Sequence, residues 1–228
     1  MDFKEAMSII SEVISETAGR KYDGILVKRL EASNTLDEGR STNQTHIAIT
    51  GEQMDIFPYL MADGYFNCDY DERDEQLKKY FVTQIPLRLY KSNVESLVGA
   101  GDAPADLYFA DDKMLLARAS IVRSRRKSQT DQVQLSLTTM DDPAFVAFRR
   151  LLHAGDYMVI LKHREKLDYD CFGIRKTTAY KDKLEKLNHK FCKDGTNTKV
   201  NVTELVAESG RGKVGNGTNI LYYGVPGS

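Results

Sequence analysis

The chain has 228 residues, with 32 Lys and Arg against 33 Asp and Glu and a net charge of −1. That balance excludes a global attraction to nucleic acid or an anionic membrane, so any polyanion must be held by locally clustered cations. The three cysteines, Cys68, Cys171 and Cys192, are an odd number without framework spacing, which excludes a disulfide scaffold and fits a reduced, cytoplasmic setting.

The start, MDFKEAMSII, is acidic and amphipathic, unlike a signal peptide or a membrane span, and no membrane partner is expected. Phe3, Met7, Ile10 and Ile14 recur at helical spacing, so residues 2–18 read as a helix, with Asp2 and Glu5 at capping-box spacing and Gly19 at the C-cap. YDGILVKRL reads as a strand, EASNTLDEGRSTN as a long polar excursion, and QTHIAIT as an alternating strand. GEQMDIFPYL suggests a short helix ended by Pro58, and residues 63–79 read as an acidic, Tyr-rich insertion.

QIPLRLYKS, ADLYFADD and MLLARASIVRS read as further strands, followed by the polar RSRRKSQTDQ and the alternating VQLSLTT. Asp142-Pro143 is an N-cap and first-turn pair for the helix AFVAFRRLL, Ala154-Gly155-Asp156 is a turn, and YMVILKH and YDCFGIRK are strands. The expected fold is mainly β with short helices: a pseudobarrel of seven to eight strands with an N-terminal helix and a C-terminal helical and linker extension. Composition changes near Thr177, which sets the expected boundary between residues 1–176 and 177–228.

RSRRKS is the sharpest local feature. Arg123, Arg125, Arg126 and Lys127, with Ser124, Ser128 and Gln129, form an expected arm over 123–131, and such cations neutralise phosphates while Arg also pairs with guanine O6 and N7. The excursion at 31–44 is a second arm, whose Ser33, Asn34, Thr35, Arg40, Ser41, Thr42, Asn43 and Gln44 are short donors and acceptors suited to bases and phosphates. Its Glu31, Asp37 and Glu38 would repel a phosphate backbone.

Competing chemistry is thinner. Asp111-Asp112-Lys113, with Asp102 or Asp106, is the outline of a metal-dependent nuclease, but Asp-Asp-Lys between apolar runs reads better as a hairpin turn. GRGKVG at 210–215 follows no strand and opens no helix, so it reads as linker. His46, His153, His163 and His189 lie in unrelated contexts, with no metal-ligand spacing and no catalytic triad, and no catalytic residue is expected. GVPGS, with Gly224 and Gly227, has the first Gly and the next four positions of a P-loop, without its second Gly, Lys and hydroxyl residue.

YDGILVKRLEASNTLDEGRSTNQTHIAI resembles the first strand, N-terminal arm and second strand of the B3-type pseudobarrel of the restriction enzyme EcoRII. VQLSLTTMDDPAFVAFRRLLHAGDYMVIL resembles the later part of plant B3 domains, and RSRRKSQTDQ falls where that family has its C-terminal arm. NILYYGVPGS is similar to the Walker strand and loop opening the GTPase module of McrB-type motors, an AAA+ subunit of restriction systems used in phage defence. The resemblance implies the N-terminal reader domain of a McrB-like or LlaJI-like subunit: site-specific double-stranded DNA recognition, with the two arms straddling the major groove and no flipped nucleotide. Lys28 and Arg29, at the end of the first strand, would meet backbone phosphates. No cofactor is implied for this stretch of chain. GTP, Mg²⁺, self-association and a nuclease subunit are implied for the whole protein, and the chain is expected neither to bind nor to hydrolyse GTP.

A small nuclease centred on Asp111 and Lys113 and a protein-interaction barrel are the competing expectations.

Overall fold

The computed structural model describes residues 1–36, 46–57, 70–71, 76–90, 115–126, 132–136, 148–164, 168–188, 190–194 and 222–223. Helix α1 runs Phe3–Val13, shorter than the expected 2–18. Asp2 Oδ1 accepts the Glu5 amide at 2.8 Å, so the predicted cap is formed. Ile14 turns extended, Ser15–Thr17 forms one 3₁₀ turn, and Gly19 at φ 78° reverses the chain, a backbone region open to glycine.

The strands are β1 Tyr22–Arg29, β2 Ile47–Thr50, β3 Tyr70–Asp71, β4 Gln76–Tyr90, β5 Leu115–Arg126, β6 Gln132–Ser136, β7 Tyr157–His163, β8 Tyr169–Ile174, β9 Phe191–Lys193 and β10 Tyr222–Tyr223. They build one mixed sheet in the order β2-β6-β5-β4-β8-β7-β1-β9, with β3 and β10 also on β4. β4 is parallel to β8 and β10, while the remaining pairs are antiparallel. The expectation of a mainly β chain with short helices holds. Among the described residues the sheet does not close, since β2 and β9 lie at its two ends without pairing. The 3₁₀ segment Gly51–Ile56 sits against both ends instead: Gln53 Nε2 donates to Val27 O and Lys190 O at 3.5 Å each, and Tyr169 Oη donates to Ile56 O at 3.0 Å.

Two buried layers follow from strand alternation. On one face, Ile25, Val27, Tyr157, Val159, Phe172 and Ile174 pack under Ile10, Val13 and Ile14 of α1 and Leu184 and Leu187 of α2 (Lys181–Leu187). On the other, Leu26, Ile160, Cys171, Leu87, Val133 and Ile49 are buried as well. Each such side chain contributes about 1.5–3 kcal/mol through removal from water. Leu184, Leu187 and Cys192 belong to the first layer, so the chain as far as β9 packs with residues that precede the boundary expected at 176.

Residues 76–79, expected within an acidic insertion, are the first rungs of β4, and Tyr70–Asp71 pairs with Leu77 and Gln76. ADLYFADD, Asp142-Pro143 and Pro58 lie outside the described residues, while residues 148–151 are helical. No helix of the described residues is long and apolar enough to cross a membrane.

Candidate nucleic-acid interface

The expected C-terminal arm begins as strand, not loop. Arg123, Ser124, Arg125 and Arg126 are the last four residues of β5, opposite Lys79, Lys78, Leu77 and Gln76 of β4. Their high polarity suggested a loop, but ladder hydrogen bonds on a neighbouring strand override local composition. Alternation then divides them. Arg123 is opposite Val133, whose side chain is fully buried, while Ser124 is opposite the half-buried Gln132 on the other face. Lys127, Ser128 and Gln129 lie outside the described residues.

This register gathers what the sequence scatters. β2, β6, β5 and β4 adjoin one another and carry Lys78, Lys79, Arg88, Arg118, Arg123, Arg125 and Arg126, with no Asp or Glu in any of the four. Arg123 stands directly across from Lys79 in the β4–β5 register. Arg88 is the exception in being spent internally, with its guanidinium 5.5 Å over the Phe172 ring. Lys78 and Lys79 were missed because they close an acidic stretch; their pairing with the arginines is non-local.

The base of the expected N-terminal arm is built into the fold. Ala32–Asn34 is a 3₁₀ turn closed by a reciprocal capping box between Glu31 and Asn34, with Asn34 Oδ1 accepting the Glu31 amide at 3.0 Å. Arg149, fully buried, donates from Nε to Asn34 O at 2.9 Å. Asn34 and Thr35 are therefore core residues, and the expectation that they read DNA is corrected: their side chains are withdrawn from solvent. Ser33 is exposed. Lys28 is partly buried, which pushes its ammonium below the ordinary pKa against the opposing charge of Glu31. Arg29 is half-exposed and lies 3.5 Å from Glu185 Oε1. Arg40, Ser41, Thr42, Asn43 and Gln44 lie outside the described residues.

The arms reach the sheet from opposite ends of one short ladder. β2 and β6 are antiparallel, pairing Ile47 with Leu135 and Thr50 with Gln132. The first arm enters at Ile47 and the second at Gln132, three rungs or about 10 Å apart.

Elsewhere, charge is neutralised in place. Asp170, buried, takes Tyr22 Oη at 2.6 Å, Arg20 Nη1 at 2.7 Å and His163 Nε2 at 3.2 Å on one oxygen. Burial raises its pKa, but hydrogen bonds from His163 and Tyr22 and the His163 and Arg20 charges outweigh that, bringing it down to about 2. Lys162 Nζ meets Asp23 Oδ1 at 2.9 Å, and Arg164 pairs with Asp194. Cys171 and Cys192 are buried free thiols. Among the described residues no three His, Cys, Asp or Glu side chains gather as a metal site would require. Asp102, Asp106, Asp111, Lys113, His189, GRGKVG, Gly224 and Gly227 lie outside the described residues.

No protein-family model matches the chain, and neither a curated protein nor a solved structure matches it.

Proposed function

We propose that this chain is a site-specific double-stranded DNA reader, built as a B3-like pseudobarrel and serving a GTP-dependent restriction subunit in the cytoplasm. The observation that carries the reading is the charge segregation across the sheet: β2, β6, β5 and β4 hold seven cations and no carboxylate in a chain of net charge −1. Regularly spaced phosphates suit cations arrayed on the adjacent strands β4 and β5. The spacing of the arm bases, about 10 Å, is near the width of the B-DNA major groove, about 12 Å. Gln132 and Gln134, half-buried on the face away from Val133 and Leu135, are amide side chains that can pair with adenine.

In this reading the arginines and Lys127 supply phosphate and guanine contacts. Ser33, Arg40, Ser41, Thr42, Asn43 and Gln44 supply the rest of the readout.

The test is a gel shift with duplex selected from a random pool, titrated with salt and challenged with unrelated duplex and with polyglutamate. The expected result is a steep decline of affinity with salt, about 0.9 log units per log unit of salt for each phosphate held, and weak competition by both challengers. Equal competition by unrelated duplex removes the sequence specificity. Equal competition by polyglutamate favours a surface for acidic proteins instead.

A further inference from the structure

At the end of β1 where the first arm departs, two cations flank Gly155 and a third pairs with the next residue, Asp156. The turn at 154–156 is fastened to the arm: Gly155 N donates to Leu30 O, and Leu30 N donates to Asp156 O, both at 2.8 Å. Gly155 has φ 92°, so no other residue sits there without strain. A Cβ on it would stand 3.1 Å from Lys176 Cδ and 4.0 Å from Arg29 Nη2, so both cationic side chains lie close over the glycine. Lys176 and Arg29 are exposed to solvent.

Arg175 is the third cation. Its Nη1 is 3.1 Å from Asp156 Oδ2, and its side chain is 11% exposed. Its Nη2 is buried and has no hydrogen-bond partner. Buried guanidinium nitrogens are satisfied as a rule, because an unmade hydrogen bond forfeits hydration without replacement. The nearby carboxylates do not meet the need. Asp156 spends its oxygens on the His153 and Lys176 amides and on Arg175 Nη1, and Glu185 takes Tyr157 Oη at 2.6 Å beside Arg29. The turn therefore has more positive charge than its acids answer, plus one unused donor.

We propose that the Gly155 turn is a phosphate-binding site, in which Arg29, Arg175 and Lys176 hold one backbone phosphate of the duplex beside the root of the first arm. The proposal rests on the DNA-binding reading for the source of the phosphate, but not for the site. A guanidinium offers paired donors to phosphate oxygens, and Lys176 can exchange its bond to Ala154 O, 3.2 Å away, for one to the ligand. Phosphate held here would lock the arm's first residues in register, since Leu30 bonds both residues of the turn.

The full chain is compared with Arg175→Lys, which keeps a cation for Asp156 and removes Nη2, and with the exposed Lys176→Ala. The probes are inorganic phosphate, read as a change in Tm against chloride at equal ionic strength, and the selected duplex, read as affinity against salt. Phosphate is expected to raise the parent Tm, and each variant is expected to lose most of that rise. Each variant should also bind duplex at least threefold more weakly, with the salt slope smaller by about 0.9, one phosphate's share. If Arg175→Lys does not fold, Lys176→Ala decides. A phosphate effect absent from the parent, or equal in all three proteins, overturns the site. Loss of the phosphate effect in the variants without any duplex binding by the parent keeps the site and overturns the DNA reading. Undiminished salt slopes in both variants, with the parent binding duplex, leave the DNA reading standing and remove this site from it.

Discussion

The two halves of the sheet handle charge in opposite ways. β8, β7, β1 and β9 lie beneath α1 and α2, and the buried charges among them are paired where they stand: Lys162 with Asp23, and Asp170 with Arg20 and His163. β4 and β5 carry seven Lys and Arg and no Asp or Glu, and β2 and β6 beside them carry no charge. Among the described residues the one acid on a rung with these strands is Asp71 of β3, opposite Gln76. A domain needing only stability gains nothing from the second arrangement, because like charges facing across a ladder weaken it. On the proposed reading the contrast separates a half that holds the fold from a half that meets the duplex bases, and mutations in each should fail differently.

The largest expected effect is on the paired half. Asp170→Ala removes the acceptor of Tyr22 Oη, Arg20 and His163 at once and leaves a buried phenol unpaired. The expected loss is about 3 kcal/mol, or roughly 6–12 °C in Tm for a chain of this size. The folded fraction should bind duplex as the parent does. A large fall in affinity at unchanged Tm would place Asp170 in the interface and erase the contrast.

The same carboxylate should show in the acid limb of stability. Its folded pKa, about 2, lies below the ordinary value of 3.8. A depressed carboxylate contributes stability that is complete above the unfolded pKa and is lost as pH falls through the folded one. The loss therefore spans roughly pH 4 down to pH 2 and amounts to about 2 kcal/mol, since one pKa unit is worth about 1.4 kcal/mol. Denaturant melts at stepped pH should show this decline in the parent and a flatter one in Asp170→Ala. Parallel profiles would show that other carboxylates dominate the acid limb.

The paired half was legible in the sequence because its signals are local. Phe3, Met7 and Ile10 mark the stripe of α1, Asp2 caps it, and the apolar runs within β1 and β7 are what strands buried on both faces require. The candidate interface was only half legible. RSRRKS was visible as charge, yet its strand character depends on rungs with Lys78 and Lys79, more than forty positions earlier in the chain. Asn34 looked like a reading residue because nothing nearby announces Arg149, its partner 115 positions on. The change of composition near Thr177 is real, but Leu184, Leu187 and Cys192 beyond it carry enough apolar surface to return to the core.

The smallest expected effect on stability has the opposite sign, and it tests the contrast most directly. Ser124 stands opposite Lys78 in the β4–β5 ladder and opposite the half-buried Gln132 in β5–β6. Ser124→Glu places a carboxylate across from an ammonium, a cross-strand pair worth about 0.2–1 kcal/mol, so Tm should rise by roughly 0.4–4 °C. Beside Lys162 or Arg20 on the paired half, whose cations already meet Asp23 and Asp170, no such gain is expected. The same substitution puts negative charge into strands that carry cations in numbers and no carboxylate, so duplex affinity should fall about tenfold, with a shallower salt slope as fewer phosphates are held. Ser124→Gln, equal in size and neutral, separates charge from bulk and should leave both properties near the parent's. Gain of stability with loss of binding is what a surface kept short of acid for a polyanion predicts. A Ser124→Glu protein that is more stable and still binds duplex with the parent's salt slope would show that the cations of β4 and β5 serve something other than DNA.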